Sequence, residues 1–419
     1  MTAVSAAKPG TVSAAKPGTV SAAKPGTESV PKPAAGEAVP RPASGAVEAS
    51  WLDNQSLVSP AHQLRLDEPL PLDGGRTLPA YVMNFETYGT LSAARDNAIL
   101  VCHSLTSRAH AAGRRAPDDP QPGWWDAAIG PGKMLDTTRY FVICADALGA
   151  GQTTGPASPD PETGRRYGVR FPVITVRDMV RAQHRLVQRL GIERLHAVIG
   201  GCMGGQQALE WAIAYPGMVR NAVVITTTPA TSAHTIAIFS VMRHLIRADP
   251  QWADGDYYGR SFPVDGLNAA VAAAVPLWMS REAMETRFGR RSSGYRYTLG
   301  PEFAVEAFIG RLVAQARHEL DPNGLMYLMR AVEYFDLERE YGSLETAFEP
   351  VSARVMFVSY RQDWRYPAAE AERMHQAMTA AGGDTRHLVL DSAMGHGAFL
   401  YEVGGLAPRV SGFLGAPVR

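Results

Sequence analysis

Val198-Ile199-Gly200-Gly201-Cys202-Met203-Gly204-Gly205 joins an apolar run to a helix-forming segment. Leu195–Gly200 reads as a short buried strand, and Met203–Tyr215 as the helix that follows it. A strand that turns this sharply into a helix exposes one side chain at the apex. The positions two before and two after that apex have no room for a side chain. Gly200 and Gly204 meet this demand, and Gly201 and Gly205 add slack. The apex residue is Cys202. The N-terminus of the next helix lies beside its sulfur, which favours the thiolate. The stretch is therefore expected to form a nucleophile elbow, with a cysteine where a serine is more usual.

Outward from the elbow, the same texture repeats. Ala98–Cys102, Tyr140–Ala145, Ala222–Thr226, Val355–Tyr360 and His387–Leu390 are short, nearly continuous apolar runs, as in strands covered on both faces. Ala80–Tyr88 alternates in part and predicts an early, half-exposed strand. Val176–Leu190 and Ala368–Ala380 carry helical periodicity between such runs. Strand–helix alternation of this kind predicts an α/β fold with a mostly parallel sheet. Between Thr228 and Leu344 the alternation stops. Thr235–Ala248, Leu267–Met279, Phe303–His318 and Gly324–Glu333 read as helices with almost no strand signal among them. A helical cap over 228–344 is thus expected, inserted into a core made of 50–227 and 345–419. Residues 1–49 read as a low-complexity tail. The octad Val-Ser-Ala-Ala-Lys-Pro-Gly-Thr occurs there three times, with too few large apolar side chains to offset the entropy of ordering.

An elbow nucleophile in such a sheet needs an acid and then a histidine further along the chain. Asp363 follows the Val355–Tyr360 strand and His396 follows the His387–Leu390 strand, so both are expected at strand C-terminal ends. His396 would move the proton, and Asp363 would fix its tautomer and stabilise its cation. Two backbone N–H groups must hold the oxyanion. Met203, next to the nucleophile, supplies one, and Leu105, in the loop after Ala98–Cys102, supplies the other. His103 in that loop reads as structural. Gly149-Ala150-Gly151-Gln152-Thr153-Thr154-Gly155 resembles a dinucleotide fingerprint but is followed by Pro156 and opens no amphipathic helix.

Composition narrows the class. Lys+Arg and Asp+Glu are 41 each, and no basic stripe marks a nucleic-acid binder. No apolar run reaches the ~18 residues of a membrane helix. Three cysteines make no disulfide scaffold, and no Cys/His spacing suggests a metal site. No signal peptide is read, so a soluble cytoplasmic protein is expected.

Several longer motifs carry a family resemblance. Cys102-His103-Ser104-Leu105-Thr106, Gly123-Trp124-Trp125-Asp126, Ile129-Gly130-Pro131-Gly132-Lys133 and Thr154-Gly155-Pro156-Ala157-Ser158 resemble signatures of the homoserine O-acetyltransferase family. So do the run from Phe171 to Val180 and Gly201-Cys202-Met203-Gly204-Gly205. The resemblance spans about Pro69 to Leu414. It implies an α/β-hydrolase fold with a helical cap, a homodimer, and transfer of an acetyl group from acetyl-CoA to the hydroxyl of L-homoserine in methionine biosynthesis. It implies the triad Cys202, Asp363 and His396, with no cofactor beyond acetyl-CoA as the acyl-donor substrate. It also implies that Arg243 holds the acceptor carboxylate. Three positions depart from the family: Cys202 replaces a serine, Gly397 stands where an aspartate contacts the substrate amine, and the segment around Phe308 and Arg311 lacks the usual tyrosines. The alternatives are another hydroxylated acceptor, such as serine or a secondary metabolite, a succinyl-CoA donor, or an ester or thioester hydrolase using the same triad.

Overall fold

The computed structural model describes residues 47–54, 58–119 and 121–416. The tail expected over 1–49 lies outside the described residues except for its last three. Eleven strands occur among them: β1 (Asp53–Asn54), β2 (His62–Leu66), β3 (Leu70–Pro71), β4 (Thr77–Leu78), β5 (Tyr81–Thr90), β6 (Ala98–Cys102), β7 (Phe141–Ala145), β8 (Ala197–Gly201), β9 (Asn221–Ile225), β10 (Arg354–Tyr360) and β11 (Thr385–Leu390). Nine form one sheet in the order β1-β5-β7-β6-β8-β9-β10-β11, with β2 also on β5, and β3 and β4 make a separate hairpin. From β7 to β11 every pairing is parallel, while β5 joins β7 antiparallel.

The apolar runs explain this sheet. Successive side chains of a strand point to opposite faces, so a strand without polar positions feeds two cores. Leu100, Val198, Val224 and Phe357 enter one core, and Ile99, Ile199, Val223 and Val358 enter the other. Helices α1 (Val176–Arg189) and α2 (Met203–Ala214) cross between strands. Helix α1 starts on a capping box: Thr175 Oγ1 accepts from Asp178 N at 3.2 Å, and Asp178 Oδ2 accepts from Thr175 N at 3.0 Å.

One expectation is corrected. β5 is not half-exposed but buried along most of its length. Its polar alternation faces other polar groups rather than water. Asn84 Nδ2 donates to Asp146 Oδ2 at 2.8 Å, and Glu86 Oε2 accepts from Tyr88 Oη at 2.9 Å and lies 2.8 Å from His110 Nδ1. A buried hydrogen-bonded network and a solvent face give the same sequence pattern.

Between β9 and β10 the named elements are all helical: α3 (Ala233–Ala248), α4 (Val264–Trp278), α5 (Arg281–Arg287), α6 (Ala304–Glu319), α7 (Pro322–Tyr334), α8 (Leu337–Tyr341) and α9 (Leu344–Phe348), with a 3-10 turn at Pro250–Gly255. After β10 come α10 (Ala368–Ala380), α11 (Ala398–Tyr401) and α12 (Val403–Gly415). Among the described residues no helix is long and apolar enough to cross a membrane.

Candidate active site

Five neighbouring strands, β6, β8, β9, β10 and β11, end on the same side of the sheet, and each delivers one part of the site from the loop beyond its last residue. Cys202 follows β8 with φ 60° and ψ −123°, a backbone region that side chains other than glycine rarely occupy. The turn that holds it is crowded by backbone. A Cβ on Gly200 would meet Gly204 O at 2.3 Å, and one on Gly204 would meet Cys102 O at 2.0 Å. Cys202 N donates to Ile225 O at 3.1 Å, and Thr227 Oγ1 donates to Cys202 O at 3.0 Å, so the apex is tied to the end of β9.

The expected partners converge on the sulfur. His396 Nδ1 lies 2.9 Å from Asp363 Oδ2, and the His396 ring interacts electrostatically with the Cys202 sulfur. Asp363 is buried and well held. Its Oδ1 accepts from Arg365 N at 2.9 Å and Tyr366 N at 3.0 Å, and its Oδ2 accepts from the Thr226 hydroxyl. Thr226 Oγ1 is also 3.1 Å from His396 Nδ1, and Thr226 itself sits at φ 41°. Because Asp363 accepts at Nδ1, the imidazole is oriented with Nε2 toward the sulfur.

Charge at this site is unusual. Burial pushes the Cys202 thiol up, but the Arg365 guanidinium, then His396, then the Met203 N–H pull it down further, to about 6. Burial pushes His396 down, but the charges of Asp363 and Cys202 raise it to about 9. Asp363 would be raised by burial, and its contacts with His396 and Thr226 hold it below the usual carboxylate range. Near neutral pH the pair is a thiolate and an imidazolium, titrating as a unit. The other cysteines are opposite in character. Burial pushes both Cys102 and Cys144 well above a free thiol.

The site forms the floor of a cavity. Ser104, Leu105, Cys202, Arg365, His396 and Gly397 line it from the sheet side. Phe239 and Met242 of α3, Val271 and Trp278 of α4, and residues of α6 roof it. Among the described residues neither Leu105 N nor Met203 N donates to a backbone carbonyl in the loops and turns, and the Met203 N–H faces the Cys202 sulfur, beside which an oxyanion would form. His103 is anchored instead. Its Nε2 accepts from Ala147 N at 2.9 Å, which leaves Nδ1 to donate to Ser104 O at 2.7 Å. Among the described residues no group of three His, Cys, Asp or Glu side chains could hold a metal ion.

Arg243 is a correction. It does not line the cavity; from the same helix the lining comes from Phe239 and Met242. Its guanidinium pairs with Glu333 of α7, whose side chain is 4% exposed. A carboxylate buried that deeply needs a counter-charge, and Arg243 supplies it. The arginine at the cavity is Arg365, which sequence reasoning passed over, as it did Thr226 and Tyr366. The one available signal was spacing: Arg365 stands two residues after Asp363 on the same strand-end loop.

A cysteine on a strand-turn-helix elbow, an aspartate after β10 and a histidine after β11 define a protein of the α/β-hydrolase class. The alpha/beta hydrolase fold family matches residues 97–403. The homoserine O-acetyltransferase of Methanosphaerula palustris is 44% identical over 361 residues, covering 85% of this chain and 73% of its own. The crystal structure of homoserine O-acetyltransferase from Bacillus anthracis superposes with a TM-score of 0.81 at 33% identity, covering 86% of this chain and 99% of that one. Esterase E22 superposes with a TM-score of 0.78 at 31% identity, covering 85% of this chain and all of that one. This chain belongs to the homoserine O-acetyltransferase family.

Proposed function

We propose that this protein transfers an acetyl group from acetyl-CoA to the side-chain hydroxyl of L-homoserine, through an S-acetyl-Cys202 intermediate, in methionine biosynthesis. The observation that carries the reading is the Cys202–His396–Asp363 line on the floor of a capped cavity. The Cys202 thiolate attacks the thioester carbonyl. The Leu105 and Met203 N–H groups receive the developing oxyanion. As the tetrahedral adduct collapses, its bond to the coenzyme A sulfur breaks, and His396 gives that sulfur its proton. The now neutral His396 then takes the hydroxyl proton of the acceptor, whose oxygen attacks the acetyl-cysteine. Collapse releases the O-acetyl product and restores the thiolate and imidazolium. Small-molecule donor and acceptor, a homodimeric state and a cytoplasmic location complete the proposal.

A second reading is an ester or thioester hydrolase, in which water replaces the acceptor. The likeness to esterase E22 favours it, as does Gly397, which adds no carboxylate next to His396, although Glu319 of α6 lines the cavity elsewhere. Incubation with acetyl-CoA alone, followed by intact-mass measurement, separates the two. An acetyl adduct on Cys202 that L-homoserine discharges as O-acetylhomoserine supports transfer. An adduct lost at one rate with or without L-homoserine supports hydrolysis, and no adduct at all overturns the covalent route.

A further inference from the structure

Arg365 is a buried cation with an unused edge. Its residue is 6% exposed, and the guanidinium carbon lies 5.3 Å from the ring centre of Phe239 and 4.9 Å from that of Tyr366. Aromatic rings can cover the faces of a guanidinium, but they do not use its in-plane N–H groups. Among the described residues Nε and Nη2 of Arg365 are fully buried and have no hydrogen-bond partner. Those two atoms form one side of the guanidinium fork, the side that holds a carboxylate with two parallel hydrogen bonds. The residue lines the cavity together with Cys202, and its own backbone N–H is fixed on Asp363 Oδ1 at 2.9 Å. The backbone bond anchors the base of the side chain, and burial against the Phe239 and Tyr366 rings confines the guanidinium at its far end.

A buried charge with two empty donors is costly unless something completes it. In the resting enzyme the Cys202 thiolate is the counter-charge. Acylation removes that charge, because a thioester sulfur is neutral. At that stage only Asp363, already engaged by His396, remains as a nearby negative charge, and Nε and Nη2 have no partners. Arg243, the alternative cation on the cap, is already taken by Glu333.

Resting on the proposed acyl transfer, we infer that Arg365 binds the carboxylate of the acceptor through its Nε and Nη2 edge, and does so best in the acyl-enzyme. The acceptor class is thus a hydroxylated carboxylic acid, and its charge replaces the one that acylation removes. The donor is bound first and the acid second, because the thiolate and the carboxylate compete for one guanidinium.

The test compares two acceptors within each enzyme. L-Homoserine carries the carboxylate, and homoserinol has a hydroxymethyl group in its place. Preformed S-acetyl enzyme is mixed with each acceptor, and the second-order rate of deacylation is measured. The wild type should prefer L-homoserine by roughly 10- to 100-fold, the range for a charge-assisted contact. In Arg365→Gln the ratio should fall to near one, and in Arg365→Lys it should lie between. Any effect of the substitution on Cys202 acidity cancels in the ratio. A ratio near one in the wild type, or one that survives in Arg365→Gln, overturns the inference while leaving transfer intact. If deacylation ignores both acceptors, the transfer reading itself has failed. Succinyl-CoA outpacing acetyl-CoA in the wild type alone would assign the guanidinium to the donor's carboxylate and overturn the acceptor assignment. Should Arg365→Gln not fold, wild-type enzyme carbamidomethylated on Cys202 supplies the second measurement. Its sulfur is neutral, so by calorimetry it should bind L-homoserine several-fold more tightly than untreated enzyme does, with no gain for homoserinol. Equal affinities for L-homoserine would count against the inference.

Discussion

With cysteine at the elbow, the histidine no longer has to create the nucleophile. A serine hydroxyl stays protonated until its base takes the proton in the transition state, whereas Cys202 and His396 exchange it beforehand. In the proposed mechanism His396 enters acylation as an acid, holding the proton that the coenzyme A sulfur will need. The pH dependence follows from that. Lowering the pH through about 6 protonates the Cys202 thiolate, and raising it through about 9 strips His396 of its proton. Alkylation by iodoacetamide needs only the thiolate, so its rate at Cys202 should be half-maximal near pH 6 and flat above. Acylation by acetyl-CoA needs both forms and should fall again above pH 9. Peptide mapping should find Cys102 and Cys144 unmodified under the same conditions. An alkylation midpoint between pH 8 and 9, the range of a free thiol, would show that the pair is not ionised at rest. Cys202, Asp363 and His396 were legible because each sits where strand pattern and motif coincide. Arg365 and Thr226 were not. An arginine in a polar loop reads as a surface residue until Phe239 of the cap is seen over it. The left-handed turn at Thr226 has no signature in a residue that normally extends a strand.

Among the elements, strand and helix patterns match the fold wherever one environment alone produces the pattern. The parallel strands are apolar on both faces because helices cover both, and few arrangements of a soluble chain produce such runs in any different way. The expected Ala368–Ala380 helix coincides with α10, and the four cap helices lie within a few residues of their expected bounds. β5 departs because alternation alone cannot tell water from a buried polar partner. The two-residue strands β1, β3 and β4 are too short to carry any periodicity. At the elbow, the turn is decided by backbone approach, which predicts how a methyl group acts there. Gly204→Ala would drive its Cβ into Cys102 O, on a strand fixed between β7 and β8, whereas a Cβ on Gly217 meets nothing within 4 Å. Gly204→Ala should therefore cost stability at or beyond the top of the roughly 1–3 kcal/mol range for overpacking, and should lower activity by moving the Cys202 apex. Gly217→Ala should melt within about 0.5 kcal/mol of the wild type, as an unobstructed surface change does. Equal melting temperatures for the two variants would mean that the elbow can relax, and that its glycines are not sterically required.

Across the whole described fold, the cap and the catalytic loops are stitched into one body. The C-terminal end of α4 meets both triad loops: Pro276 O accepts from Trp364 Nε1 at 3.0 Å, one residue past Asp363, and Ser280 Oγ donates to Ala393 O, three residues before His396. A helix that shapes the cavity roof thus also braces the acid and the histidine. Arg243 and Glu333 belong to the same architecture, binding α3 to α7 within the cap. Removing one partner of a buried pair strands the other charge, whereas replacing both with apolar groups removes the desolvation cost along with the attraction. Glu333 keeps a second cation, Arg330, at 2.8 Å, and the Arg243 side chain is 15% exposed, so the loss should fall below that of an isolated buried pair. Arg243→Met should cost about 1–3 kcal/mol, and Arg243→Met with Glu333→Leu should recover most of it. Denaturant unfolding of the two single variants and the double variant gives the coupling directly. In parallel, the acceptor KM of Arg243→Met, measured below its melting range, should stay at the wild-type value, because the guanidinium faces Glu333 and not the cavity. A KM that rises many-fold while stability is unchanged would place Arg243 on the acceptor, and the carboxylate would then have to be sought under α3 rather than beside Asp363.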